Sequence, residues 1–167
     1  GERSGSDGNK GTFDAPFATI DYAIGRCTAN RGDIIFVKPG HAEAVTITSI
    51  ACDVAGVSII GIGSGAMKPI LTFGATDSRI NVTAANCIWQ NFRWTAGIGD
   101  VVTAVLHATA AQNTVYEDIE FYATSTFNFI NCFTLGEANI SDGCRWERCS
   151  KLERQPTLRR TDCWRFG

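Results

Sequence analysis

The sequence of 167 residues is long enough for one domain with a buried core. Its 44% hydrophobic and 19% charged residues are typical of a globular protein and exclude a disordered chain. The net charge of -2 gives no general attraction to nucleic acid or anionic membrane, and no apolar run approaches the ~18 residues of a transmembrane helix, so neither partner is expected.

The first segment is predicted to be an arm followed by a short helix. A loop-forming stretch rich in Gly, Asp and Asn, SGSDGNKGTFD, leads into FATIDYAIGRC. Pro16 stands near the start of the helix and Gly25 near its end. We predict that residues 1–33 form an arm and a helix that caps the sheet edges of a body formed by residues 34–167. The apolar residues of one helical face are Phe17, Ile20, Ala23 and Ile24.

The body of the chain repeats itself at intervals of about 30 residues. The four copies read VSIIGIG, CIWQNFR, TVYEDIE and CRWERCS. Large and polar residues alternate within each copy, which predicts a strand with one buried face, and the fixed interval predicts a solenoid of stacked coils. The large columns are Val57, Cys87, Thr114 and Cys144; Ile59, Trp89, Tyr116 and Trp146; and Ile62, Phe92, Ile119 and Cys149. The column between them holds Ile60, Gln90, Glu117 and Glu147.

The aromatic column has two interpretations. The rings of Trp89, Tyr116 and Trp146 either stack in the core or form an exposed platform for sugar binding. Their phase along the strands matches that of Val57 and Ile62, which favours the core.

Further strand-forming runs lie between the copies. They read PILTFG, RINVT, VVTAVLHAT and FINCFTL, and Gly and Asn punctuate the joins. Each coil therefore holds about three short strands and three turns. The predicted fold is all-β: a single-stranded parallel β-helix of about five coils with a short N-terminal capping helix. At ~4.8 Å per coil the stack is ~25 Å tall, which is short for a groove that holds a long polymer.

The N-terminal third carries a resemblance to a known group. The stretches DGNKGTFDAPFATIDYAI, GDIIFVKPGHAEAVTI and GVSIIGIGSG resemble the entry of right-handed parallel β-helices of the pectin-lyase-like group. The version with PGHAE is similar to proteins of tailed bacteriophages, including virion surface components. Enzymes of the group usually attack acidic polysaccharide. As the resemblance implies, lyases of the group use calcium-binding acidic residues together with a basic residue that abstracts a proton. Hydrolases of the group use a cluster of Asp residues.

The polar column offers candidate catalytic residues. Glycoside hydrolysis generally needs two carboxylates that face one bond, and Glu117 and Glu147 occupy this column in adjacent coils. A solvated surface column is the other interpretation, and no DD or DxD sequence occurs in any coil. Arg93 and Glu120 share a second outward column and are expected to pair across coils.

Histidine and cysteine patterns give little support for a catalytic or metal site. His41 follows a turn, with Glu43 two residues on, but its place at the expected end of the first strand gives a catalytic His–Glu pair little support. His107 is expected at the surface or at a corner. None of the seven cysteines forms a CxxC pair, so we predict no metal and no cofactor. Most cysteines are expected to be reduced and buried. The alternative is a disulfide among Cys144, Cys149 and Cys163.

The C-terminal end is basic. Between residues 145 and 165 the chain carries seven Lys and Arg residues against three acids. This segment is either a solvated end or a contact with an acidic partner surface. The predicted partner-binding residues are Arg154, Arg159, Arg160 and Arg165.

These features lead to a structural function as the first expectation. We expect a non-enzymatic virion protein of the decoration or cement type, a homotrimer that binds the major capsid protein on the outer surface of a phage capsid. The first alternative is a tailspike-type polysaccharide lyase or hydrolase that uses Glu117 and Glu147. The second alternative is a glycan-binding module without cleavage.

Overall fold

The chain winds as a right-handed parallel β-helix in this computed structural model, which describes residues 4–47, 50–108, 110–135 and 143–153. Every ladder between its named strands is parallel, as the repeat predicts. The helix α1 spans Ile20–Gly25, and the strands are β1 (Ile34–Val37), β2 (Ala42–Val45), β3 (Ile50–Cys52), β4 (Ser58–Gly61), β5 (Ile70–Phe73), β6 (Ile80–Val82), β7 (Ile88–Ala96), β8 (Asp100–His107), β9 (Val115–Ala123), β10 (Asn128–Leu135), β11 (Arg145–Glu147) and β12 (Ser150–Glu153).

The strands stack on three faces. The first face holds β1, β4, β7, β9 and β11; the second holds β2, β5, β7, β9 and β12; the third holds β3, β6, β8 and β10. Strands β7 and β9 each bend from the first face onto the second. Coil 1 therefore contains β1 to β3, coil 2 β4 to β6, coil 3 β7 and β8, coil 4 β9 and β10, and coil 5 β11 and β12. The described residues of coil 5 supply two strands, so the stack makes about four turns, against the five coils predicted.

The register confirms the predicted aromatic column. Ile59 pairs with Trp89, Trp89 with Tyr116, and Tyr116 with Trp146, which corresponds to steps of 30, 27 and 30 residues. Trp89 and Tyr116 are fully buried, and Trp146 is partly buried against the same core. The interpretation of these rings as core residues is therefore confirmed, and an exposed aromatic platform at Trp89 and Tyr116 is excluded.

Trp94 lies at the centre of this core. Its ring centroid lies 6.0 Å from that of Trp89, 6.1 Å from that of Tyr116 and 5.2 Å from that of Phe121, each in an edge-to-face arrangement. Tyr116 and Trp146 stack with centroids 6.4 Å apart and planes 8° apart. Buried aromatic pairs of this kind contribute beyond the area that they bury, so the rings stabilise the stack between coils.

One predicted column member lies outside the core. Ile62 was expected beside Phe92, but it is exposed. The chain leaves β4 at Gly61, forms a turn with a 3-10 helix at Gly65–Met67, and rejoins the second face at β5. In coil 3 the continuous strand β7 runs from the first face to the second. Coil 2 uses extra residues at this corner, and they break the alternation of inward and outward residues on which the alignment depended.

The helix α1 closes the N-terminal end of the core. Ile20 and Ile24 are buried in the same cluster as the residues of coil 1. The Thr19 hydroxyl caps the helix by accepting a hydrogen bond from the Tyr22 backbone N–H at 3.3 Å. No helix within the described residues has the length and apolarity to cross a membrane. The division of the chain at residue 33 stays a prediction.

Candidate functional site

The outward side of the first face carries a polar ladder, defined as Gln90, Glu117 and Glu147. Register pairs Gln90 with Glu117 and Glu117 with Glu147, as predicted. Paired residues on adjacent parallel strands lie ~4.8 Å apart at the backbone. The structure thus brings the two predicted carboxylates into neighbouring positions on one surface.

A sharp corner joins the first face to the second beside this ladder. Asn91, Asp118 and Arg148 occupy it in successive coils, with positive φ angles of 63°, 54° and 51°. The Asn91 amide donates to the carbonyl oxygens of Gly61 at 2.8 Å and Gly63 at 2.9 Å, which ties coil 3 to coil 2. This left-handed conformation is uncommon for residues other than Gly, Asn and Asp, so its use at Arg148 marks a constrained position.

Acidic side chains of coil 4 meet basic side chains from three other coils at this corner. We call this group the corner cluster. Lys68 from coil 2 donates to Glu120 at 2.9 Å and to the Asp118 carbonyl at 3.3 Å. Because the ammonium of Lys68 is buried, with 8% of the residue exposed, this pair is shielded from solvent. The corner cluster consists of Lys68, Arg93, Glu117, Asp118, Glu120 and Arg148.

Two arginines complete the corner cluster. Arg93 of coil 3 pairs with Glu120 at 2.9 Å, which confirms the predicted pairing across coils. Arg148 of coil 5 donates to both carboxylate oxygens of Asp118, at 2.7 and 3.1 Å, and also to Glu117. A guanidinium that holds a carboxylate through two bonds is a strong and directional contact. Glu117 is therefore held in place, whereas Glu147 is not a member of the cluster.

The ion pairs shift the acidity of two of these carboxyl groups. Burial raises the pKa of Glu120, but the hydrogen bonds from Lys68 and Arg93 outweigh it and keep that pKa below its usual value. The hydrogen bond from Arg148 lowers the pKa of Asp118. Both groups therefore stay ionised near neutral pH and serve as fixed negative charges.

The open part of the face belongs to coil 5. The Arg145 and Glu147 side chains are 66% and 45% exposed, and Arg145 Nε lies 3.6 Å from the Glu147 carboxylate. A contact of this length and exposure is a weak ion pair, so both groups are accessible to a ligand. The face therefore presents the accessible carboxylate of Glu147 and the accessible guanidinium of Arg145 beside the corner cluster.

Other predicted candidates lie elsewhere. His41 does pair with Glu43, at 3.0 Å, near the N-terminal arm and away from the ladder. His107 is buried, contrary to the prediction of a surface or corner residue, and its Nε2 lies 2.7 Å from the Tyr116 hydroxyl. Desolvation lowers the pKa of His107. Its side chain faces inward because His107, the last residue of β8, continues the inward alternation of Val101, Thr103 and Val105.

The remaining predictions concern cysteines, metals and the basic end. Cys144 and Cys149 carry free thiols, so neither forms the disulfide considered as an alternative. Within the described ranges, no three His, Cys, Asp or Glu side chains are placed to hold a metal ion, and the corner carboxylates already accept from Lys or Arg, which does not fit a calcium site. The rest lie outside the described residues: Arg154, Arg159, Arg160, Arg165 and Cys163.

Sequence reasoning missed Lys68 altogether. Its partner Glu120 lies 52 residues further along the chain, two coils away. The repeat alignment matched only residues on equivalent strands, and Lys68 lies in the long turn of coil 2. One signal for Lys68 was available in the sequence. This lysine directly precedes Pro69, where the chain starts the second face, and it lies one corner away from the outward column of Arg93 and Glu120.

Comparison with known proteins supports the fold. No family model matches the chain, and no curated protein matches it. A solved structure named rhamnogalacturonan lyase matches with a TM-score of 0.61 and 18% identity, over 88% of this chain and 49% of that one. The chain thus spans about half the length of that lyase. This likeness shows the fold alone and agrees with the predicted pectin-lyase-like architecture, whereas a phage origin stays a prediction.

The expectation of a non-enzymatic protein is contradicted by this comparison. The structure with the same fold bears the name of a polysaccharide-cleaving enzyme, not that of a capsid protein. The expectation depended on the phage-like entry motif, the short solenoid, the basic C-terminal segment and the lack of a convincing catalytic cluster. In a solenoid, however, residues from separate coils meet on one surface, as Lys68, Glu120 and Arg148 do here.

Proposed function

We propose that this chain binds an acidic polysaccharide along the polar ladder and cleaves it by elimination. The observation that carries the proposal is the register-aligned ladder of Gln90, Glu117 and Glu147 beside exposed arginine side chains. The fold, shared with a protein named rhamnogalacturonan lyase, supports it. The ~4.8 Å rise between coils is of the same order as one sugar residue, so successive coils can meet successive sugars.

The chemistry assigns a role to each exposed group. Elimination at a uronate residue removes the proton α to the carboxylate, forms a C=C bond and expels the oxygen of the glycosidic bond. That oxygen takes a proton from water and becomes the hydroxyl of the new reducing end. Arg145 would hold the uronate carboxylate, because a guanidinium matches its two oxygens. Glu147 would take the proton as general base, since it is the accessible carboxylate of the ladder. Glu117 and Arg148, fixed by the corner cluster, would position the neighbouring sugar.

Hydrolysis is a second candidate, which the strand register supports. Retaining glycosidases hold their two carboxyl groups about 5–5.5 Å apart, and Glu117 and Glu147 occupy paired positions on adjacent strands, whose backbones lie ~4.8 Å apart. Both reactions create reducing ends, but only elimination creates an unsaturated sugar. The products therefore distinguish the two.

The test is an incubation of the full chain with polygalacturonate, with rhamnogalacturonan and with a neutral glucan. Ultraviolet absorbance reports unsaturated ends, and a reducing-sugar assay reports all cleavage. We expect unsaturated ends from an acidic polymer only, and about a hundredfold loss of rate in Glu147→Gln. The control is Asp77→Asn, which removes an exposed carboxylate between β5 and β6, away from the ladder.

Each other result has a definite meaning. Reducing ends without unsaturation would replace elimination by hydrolysis. Cleavage that persists in Glu147→Gln would place the chemistry elsewhere on the molecule. Binding without any cleavage would leave a glycan-binding module and overturn the enzymatic proposal. Homotrimer formation and attachment to a major capsid protein on a virion surface remain separate, untested predictions.

A further inference from the structure

A cleft of about 700 Å³ lies between the N-terminal arm and coil 1, at the opposite end of the stack from Glu147. Hydrogen bonds hold the arm that forms one wall. The Asp7 carboxylate accepts from the backbone N–H groups of Ala18 at 2.8 Å and Thr19 at 3.1 Å, and the Asn9 amide donates to the Pro16 carbonyl at 2.7 Å. The cleft is therefore built by specific contacts, which is what a preformed binding site requires.

Exposed aromatic rings line this cleft beside a cation. Phe13 on the arm is 66% exposed and Phe36 on β1 is 62% exposed. The ammonium of Lys38 lies 4.3 Å from the centroid of the Phe13 ring. Aromatic faces that remain open to solvent suit the apolar face of a sugar ring, and the cation beside them suits a negatively charged substituent.

A histidine at the floor of the cleft is oriented by a carboxylate. His41 Nε2 lies 3.0 Å from Glu43 Oε2, and this oxygen also accepts the Ile20 backbone N–H at 3.1 Å. If Nε2 carries the proton that Glu43 accepts, the other ring nitrogen is an acceptor. That second nitrogen has no hydrogen-bond partner within the part of the chain that the structure describes, so it is available to a hydroxyl donor.

The charge of the lining favours an anion. Arg26, Arg31 and Lys38 contribute three cationic side chains to the lining. Two carboxylates oppose them: that of Asp33, which pairs with Arg31 at 2.8 Å, and that of Glu43 behind His41. An acid-bearing ligand is therefore attracted, and a cationic one is repelled.

We propose that this cleft binds one uronic acid residue of a glycan, at a site separate from the polar ladder. Phe13 and Phe36 pack against the sugar ring, Lys38 meets the carboxylate, and His41 accepts a hydrogen bond from a sugar hydroxyl. The site needs no cleavage chemistry, so it stands whether or not the ladder is catalytic.

Two histidines make the test direct. The chain contains only His41 and His107, and His107 is buried in the core, so ring signals in a proton–nitrogen NMR spectrum separate the cleft from the rest of the molecule. Titration of the full chain with galacturonate is expected to shift the His41 signals and leave those of His107 in place. Galactose, which lacks the carboxylate, should bind about tenfold or more weakly, since a hydrogen bond to a charged group is lost.

Matched variants locate the site. Phe13→Ala and Lys38→Gln are expected to weaken galacturonate binding by about tenfold each, because they remove a stacking face and a cation. Phe127→Ala and Lys10→Gln change an exposed residue of the same type outside the cleft and should bind as the parent does. The thermal midpoint of each variant checks that the fold is intact.

Three outcomes would overturn the proposal. One is galacturonate binding without a shift of the His41 signals, because the ligand then lies elsewhere. Another is galactose binding as tightly as galacturonate, which removes the role of the charge. The third is benzoate binding as tightly as galacturonate, because the cleft would then be a site for aromatic acids and not for sugars.

Discussion

Adjacent residues of the same strands point in opposite directions, one into the core and the next to the outer surface. Trp89 and Tyr116 point into the core, where both are fully buried and meet the same aromatic neighbour, Trp94. Gln90 and Glu117, one position further along, point outward and change in character from coil to coil. In register from coil 1 the outward column runs Phe36, Ile60, Gln90, Glu117 and Glu147.

The difference shows what the repeat preserves. Core packing favours large apolar residues at the inward positions of the aromatic column, because interiors are close-packed and a missing ring leaves a cavity. The outward positions carry no such requirement, so the column changes from apolar in coils 1 and 2 to acidic in coils 4 and 5. Stability therefore depends on the inward residues of these strands, and the function proposed above depends on the outward residues that alternate with them.

The largest effect is expected from an inward residue. Trp89→Ala should lower the free energy of unfolding by about 3–5 kcal/mol, because it removes a fully buried ring that contacts Phe92 and Trp94. Chemical denaturation measures this change. The adjacent variant Gln90→Ala should cost much less, and an equal loss for both would remove the distinction between inward and outward positions.

The inward pattern was also the part that the sequence predicted best. Alternation of large and polar residues identified Trp89, Tyr116 and the paired Gln90 and Glu117 with the correct register. It failed at Ile62, where the turn of coil 2 is longer than that of coil 3. Periodicity describes strands, and it carries no information about how many residues a corner uses.

The site was predicted less completely for a physical reason. The ladder of Glu117 and Glu147 follows from the repeat, since both residues occupy equivalent strand positions. The Lys68 ammonium reaches Glu120 from a turn two coils away, and no local pattern encodes that reach. His107 was placed wrongly because a buried histidine bonded to a tyrosine hydroxyl looks polar in the sequence but lies in an apolar core.

An intermediate effect is expected at Lys68, which lies on the outward side but is buried. Lys68→Met should lower the free energy of unfolding by about 1.5–3 kcal/mol, because it leaves the Glu120 carboxylate without one of its two charged partners. Lys10→Met, at an exposed position of the arm, is the control. If Lys68→Met lowers the free energy of unfolding by less than Lys10→Met does, the corner cluster does not stabilise the stack.

The pH dependence of the stability of Lys68→Met tests whether the ion pair with Glu120 causes the loss. The pKa of Glu120 is lowered from its ordinary value of 4.5 in the folded protein. Stability from its pairing is thus present above pH ~4.5 and is lost as the pH falls through the folded pKa. The difference in the free energy of unfolding between the parent protein and Lys68→Met should therefore become smaller in acid. A difference that stays constant with pH would assign the effect to packing of the lysine stem.

The smallest effect on stability is expected where the proposed function is concentrated. Arg145→Gln should change the free energy of unfolding by no more than about 0.5 kcal/mol, because its contact with Glu147 is long and solvent-exposed. The same substitution should weaken binding of polygalacturonate by about tenfold, since it removes the guanidinium proposed to hold the uronate. Thermal unfolding and polymer binding measured on one preparation compare the two effects. A marked loss of stability with unchanged binding would reverse the assignment, because the outward face of coil 5 would then support the fold and not the ligand.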